Sequence, residues 1–168
     1  MVADPDQDTF PGVPEGEIAI DDPGAPDVRA LLAVHVTFAR AQTPPEDAHA
    51  MDVDGLLDPA VTLFGYRAGG TLRAVGALKQ LDPHHAEIKS MHTVGAARGR
   101  GVGRTMLEHL IAVARERGYR RISLETGSMA AFAPARSLYA RAGFEVCEPF
   151  GDYRKSPNST YMTLSLAD

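Results

Sequence analysis

The chain has one cysteine, Cys147, in 168 residues, and no tryptophan. A single thiol excludes an internal disulfide framework and any metal cage built from several cysteines. It suits a reducing compartment. No run of roughly 18 apolar residues occurs, so no membrane-crossing helix is expected. Excess positive charge is missing too. Seventeen Lys+Arg stand against 22 Asp+Glu, a formal charge of −5, whereas nucleic-acid binders carry a basic face. The expected location is the cytoplasm, with neither nucleic acid nor membrane as partner.

What is present is an average globular composition, 44% hydrophobic and 23% charged, at the length of a single domain. Residues 1–16, acidic and rich in proline and glycine, read as a flexible tail rather than a secretory signal. The folded domain is expected over 17–168. Residues 17–21 alternate as a short strand. A helix opens at Pro26-Asp27 with Val28, Leu31, Leu32, His35 and Ala39 on one face. Thr43-Pro44-Pro45 ends it and caps a second short helix expected through Ala48 to Leu57. Runs at 61–67 and 72–80 form a hairpin around Ala68-Gly69-Gly70. A strand over 86–94 follows a turn at Asp82-Pro83. Val102, Met106, Leu107, Leu110, Ile111 and Ala114 then mark an amphipathic helix that stops at Gly118. A strand at 120–125, a helix from Pro134 to Gly143, and two strands at 144–148 and 161–166 complete a mixed α/β order.

Between the 86–94 strand and the amphipathic helix lies Arg98-Gly99-Arg100-Gly101-Val102-Gly103-Arg104. Small residues let backbone approach a ligand, and free N–H groups at a helix start point outward. The helix dipole adds partial positive charge, so the place suits a phosphate or diphosphate. Flanking arginines add bidentate donors. A Walker A loop fails here because its lysine is absent, and a Rossmann fingerprint fails for want of its third glycine. The plainer alternative is a tight turn before a core helix.

This segment resembles the Q/R-x-x-G-x-G/A loop of the GNAT superfamily of acyl-CoA-dependent N-acetyltransferases, with Arg98, Gly101 and Gly103 at its defining positions. Ala135-Arg136-Ser137-Leu138-Tyr139 with Gly143-Phe144 is similar to the family's second signature. The resemblance spans about 17–167 and implies a GNAT-type α/β fold, a central mixed and mostly antiparallel sheet flanked by about four helices. It further implies acetyl-CoA as acyl donor and no metal. Gly99, Arg100, Gly101, Val102, Gly103 and Arg104 would hold the diphosphate. Met91, His92 and Thr93 would offer backbone groups to the pantetheine arm and the acetyl carbonyl, an N–H there stabilising the developing oxyanion. His92 itself is expected as an exposed strand histidine.

Transfer to an amine needs a base, since free amines are largely protonated at pH 7. Glu87 stands 11 positions before Arg98, the interval found in the histone-acetylating branch. Its plainer role is a strand carboxylate facing solvent or pairing with Lys89. Tyr139 holds the family's tyrosine position, where a phenol serves the departing thiolate. Many relatives have asparagine seven positions earlier, where this chain has Phe132. Arg136 is expected to meet a phosphate or solvent. Cys147 is expected in the core, and His84-His85 lacks a third ligand for zinc. Residues 43–51, with His49, and the Asp152-Tyr153-Arg154-Lys155 run are expected to border the acceptor pocket, Arg154 or Lys155 binding a carboxylate.

The implied activity is direct acetyl transfer from acetyl-CoA to a primary amine of a small or amino-acid-like molecule. A protein N-terminus or lysine is the alternative acceptor, and a non-catalytic acyl-CoA-binding sensor the rival class. A homodimer is allowed, though no residue marks its interface.

Overall fold

The computed structural model describes residues 16–51 and 53–166. The tail expected over 1–16 therefore lies, Gly16 apart, outside the described residues. Seven strands form one sheet in the order β1-β2-β3-β4-β5-β7-β6. They are β1 (Glu17–Ile20), β2 (Val61–Ala68), β3 (Thr71–Asp82), β4 (His85–Thr93), β5 (Arg121–Gly127), β6 (Glu145–Cys147) and β7 (Ser159–Ser165). All neighbours are antiparallel except β4 and β5. Helices α1 (Pro26–Gln42) and α2 (Val53–Leu56) come before the hairpin, while α3 (Val102–Glu116) and α4 (Ala133–Arg141) follow β4 and β5.

Two apolar clusters sandwich the sheet. Val28, Leu31 and Leu32 of α1 pack with Leu56, Leu63, Val75 and Ala77. Phe64, Ala74 and Leu78 instead meet Met106, Leu107 and Leu110 of α3. Central strands therefore bury side chains on both faces, which is why their sequences run apolar rather than alternating. All six apolar positions foreseen for α3 are buried. Gly76 lets that helix close on β3, because a Cβ there would come within 3.0 Å of Leu110 Cδ1 and 3.1 Å of Met106 Cγ.

The short helix expected through Ala48 to Leu57, after the Thr43-Pro44-Pro45 cap, is broken up. Pro45–Asp47 makes one 3₁₀ turn, residues 48–51 are irregular, and α2 is a single turn. Pro44 and Pro45 supply no backbone donors and push preceding residues out of helical geometry. Cys147 also departs from expectation. It is half-buried on the outermost strand, because β6 has a neighbour on one side only. Glu145 and Val146 beside it are exposed.

The parallel pair is short. β4 and β5 stay in register only at His85↔Arg121, Ala86↔Ile122 and Glu87↔Ser123. Beyond Glu87, β4 continues against β3 alone, and β5 continues against β7. The sheet thus splays into a wedge at its centre.

Candidate active site

The wedge opens into a cleft of about 1260 Å³ reaching from the start of α3 to the 43–51 segment. One wall is the half of β4 that has lost its β5 neighbour. A bulge shapes that wall: Val75 faces His92 and Ala77 faces Lys89, so Gly76 alone opposes both Ser90 and Met91. Ser90 takes φ 56°, a left-handed conformation costly for a residue with a Cβ. Its buried hydroxyl has no hydrogen-bond partner among the described residues. Bulges re-aim backbone groups, and this one does so at the mouth of the wedge.

The loop foreseen as a phosphate cradle lies at one end. Gly99 and Gly101 have φ 74° and 77°, and Gly101 caps α3. Left-handed residues in that position turn successive N–H groups toward one concavity. A Cβ at Gly103 would make only ordinary contacts, with Thr93 Oγ1 at 3.5 Å and Leu138 Cδ2 at 3.6 Å. Arg98, Gly99, Gly101, Val102, Gly103 and Arg104 all line the cleft. Arg100 does not; its side chain is exposed. Arg104 is exposed as well and donates to Glu108 at 2.9 Å on the next turn. The donor set, backbone amides at a helix start with arginines beside them, fits a diphosphate.

Side chains furnish the opposite end. Glu87 is buried and accepts hydrogen bonds from Lys89 Nζ at 3.2 Å and from the Tyr153 hydroxyl. Lys89 Nζ also donates to Tyr153 Oη at 2.9 Å and lies over its ring. Burial, with Glu87 beside it, pushes the Tyr153 phenol up. The pairing with Lys89 is present, whereas the solvent-facing alternative for Glu87 is not. Tyr153 thus enters the cleft where Arg154 and Lys155 were expected; those two are exposed and do not line it. His49 stands edge-on to Tyr153 with centroids 4.9 Å apart. Asn158 Nδ2 donates to Asp47 Oδ2 at 3.0 Å and so ties the 43–51 segment to the loop before β7.

Tyr139 is buried in α4, and its phenol is pushed up first by burial and then by Glu125. Glu125, on β5 across the wedge from β4, forms no ion pair among the described residues. Burial raises its carboxyl from 4.5 to about 7. A glutamate following Ile122 and Leu124, near the carboxyl end of β5, was the readable signal for this group. Phe132 lines the cleft wall and packs edge-on to Phe38 at 5.3 Å. Arg136 is half-buried and does not line the cleft. It donates to the carbonyls of Gly127 and Met129 at 2.7 and 2.9 Å, at the end of β5 and just beyond it. His92 is not an exposed strand residue either; it is half-buried between His35 and Arg98.

The Acetyltransferase (GNAT) family model matches residues 28–144. The chain belongs to that family. This GNAT enzyme is 46% identical over 149 residues to the uncharacterized N-acetyltransferase YsnE of Bacillus subtilis, covering 89% of this chain and 99% of that protein. It is 34% identical over 124 residues to an IAA acetyltransferase of Azospirillum brasilense, covering 73% and 80%. A Bacillus subtilis acetyltransferase solved in complex with CoA shares the fold, with TM-score 0.69 at 19% identity over 90% of this chain and 99% of that one. The GNAT chain is accordingly an acyltransferase that takes its acetyl group from acetyl-CoA, and the expected fold is the observed one. No helix among the described residues is long and apolar enough to cross a membrane.

Proposed function

We propose that this GNAT enzyme acetylates a primary amine of a small molecule by direct attack on the thioester. One observation carries the reading: the wedge joins the glycine loop to a chamber holding Glu87, Glu125 and Tyr139. The amides of Gly99 to Gly103, aided by the α3 dipole, would hold the donor's diphosphate. Backbone groups of Met91, His92 and Thr93 on the unpaired edge would hold its amide arm, and an N–H near the Ser90 bulge would meet the developing oxyanion. The amine nitrogen forms the new C–N bond as the C–S bond breaks. Tyr139 would give a hydrogen bond, and finally a proton, to the leaving sulfur.

Glu87 is the first choice for taking the amine's proton. A specific observation favours Glu125 as a second reading. Glu87 already accepts hydrogen bonds from Lys89 Nζ and the Tyr153 hydroxyl, whereas Glu125 has no ion-pair partner among the described residues and burial pushes its carboxyl up to about 7. Replacing each by Gln separates them. The true base leaves a variant with turnover about 100-fold lower and a flattened pH profile, while the other retains the wild-type profile.

A small acceptor is supported by the Asp47–Asn158 hydrogen bond, which ties the 43–51 segment lining the cleft to the loop before β7. The test is thiol release from acetyl-CoA against amines, amino acids and peptides. Turnover confined to small amines supports the reading. Turnover on peptides alone, or none above hydrolysis, overturns it.

A further inference from the structure

The histidine pair on the cleft wall has a feature that the acetyl-transfer reading leaves unused. Three side chains form a line from the loop into the chamber: Arg98 Nη2 lies 3.3 Å from His92 Nε2, and His92 Nδ1 lies 3.1 Å from His35 Nδ1. Arginine is only ever a donor. His92 Nε2 must therefore accept, which leaves the proton of a neutral imidazole on its Nδ1. That proton points to His35 Nδ1, which must accept in turn, so His35 carries its own proton on Nε2. The two rings meet edge-on with centroids 5.1 Å apart, so the alternation is geometrically consistent. His35 Nε2 has no hydrogen-bond partner among the described residues, yet is not among the buried polar atoms left unpaired there, and His35 lines the cleft. The free N–H is thus available to a ligand.

Resting on the reading of the cleft as the transfer site, we infer that His35 is a fixed hydrogen-bond donor through Nε2–H to an oxygen of a bound substrate. His92 sets its tautomer, and Arg98 sets that of His92. The oxygen is a carbonyl or carboxylate, from either the amide arm of the acyl donor or the amine acceptor. Both rings stay neutral near pH 7. Burial, then the facing His92 and Lys89, holds His35 down at about 4, while burial and Arg98 lower His92. His92 and Arg98 act here as positioning residues.

Two measurements test this. Long-range ¹H–¹⁵N correlation spectra of the histidine rings should show the Nε2–H tautomer for His35 and Nδ1–H for His92. In Arg98→Ala the His92 signal should shift toward a mixture. This readout needs no turnover, so it stands or falls apart from the acetyl-transfer reading. The second compares His35→Gln, whose amide reaches the Nε2 position, with His35→Asn, whose amide reaches only the Nδ1 position. Binding should survive within about twofold in the Gln variant and weaken about fivefold to tenfold in the Asn variant, the loss expected for one hydrogen bond. A weakened acetyl-CoA dissociation constant by calorimetry places the oxygen on the donor. A raised KM for the amine alone, at saturating acetyl-CoA, places it on the acceptor. The inference is overturned by His35 carrying its proton on Nδ1, or by an Asn variant that matches wild type in both constants.

Discussion

The two ends of the cleft are built from different materials. The end proposed for the donor is mostly backbone: a seven-residue run with left-handed glycines, a helix start, and a strand edge left unpaired by the splay. The end proposed for the acceptor is side chains from three separate stretches: His49 after the 3₁₀ turn, Glu87 and Lys89 on β4, and Tyr153 before β7. A backbone site recognises what every donor molecule shares and depends on local geometry. A side-chain site depends on long-range packing, so its chemistry can change without disturbing the loop. Substitutions at one end should therefore leave the other end's binding constant alone.

The largest effect is expected at the donor end. Gly101→Glu places a side chain at φ 77° and a negative charge at a helix start, so acetyl-CoA affinity should fall about 100-fold or more by calorimetry. Undiminished affinity would mean that the loop does not hold the diphosphate. Next comes Tyr139→Phe, where turnover should drop about 10- to 100-fold with donor affinity unchanged. Full activity would assign the leaving sulfur's proton to another group.

At the acceptor end, Tyr153→Phe removes the hydroxyl that donates to Glu87 and accepts from Lys89. Amine KM should rise about fivefold, the value of one hydrogen bond, with acetyl-CoA affinity unaltered. An equal change in both constants would erase the distinction between the two ends.

The smallest effect concerns stability. Glu125 titrates at about 7 in the fold against 4.5 ordinarily, so below pH 4.5 the carboxyl is protonated in both states and costs nothing. As pH rises through that window the unfolded chain releases the proton more readily, and folding loses stability. Glu125→Gln should therefore raise Tm by a few degrees at pH 8 and by almost nothing at pH 4. A variant that is equally or less stable than wild type at pH 8 would mean that Glu125 is not held in the desolvated site described.

The same division explains how much was legible in the sequence. Glycine at 99, 101 and 103 is a local requirement of backbone shape, and local requirements leave local patterns. Helix α3 and the β2–β3 hairpin were readable for the same reason. His35 was placed on the apolar face of α1, and that face does continue to it. Its first turns bury Val28, Leu31 and Leu32 in the core, but the later positions His35 and Ala39 face the cleft. Periodicity identifies a face without saying what it covers. Tyr153 sat in a polar run whose charges drew attention to Arg154 and Lys155, yet burying an aromatic beside Glu87 leaves those charges in water. Arg136 folds back onto the carbonyls of Gly127 and Met129, a role that its residue type does not announce. For His35 and Tyr153 the missing information was contact between segments far apart in sequence.

The central claim is that the wedge between β4 and β5, with the loop that leads into α3, is where acetyl-CoA binds. Hydrogen–deuterium exchange with and without acetyl-CoA tests it directly. Slower exchange concentrated in residues 88–104 is the predicted result. Protection elsewhere with none in that stretch would contradict the account.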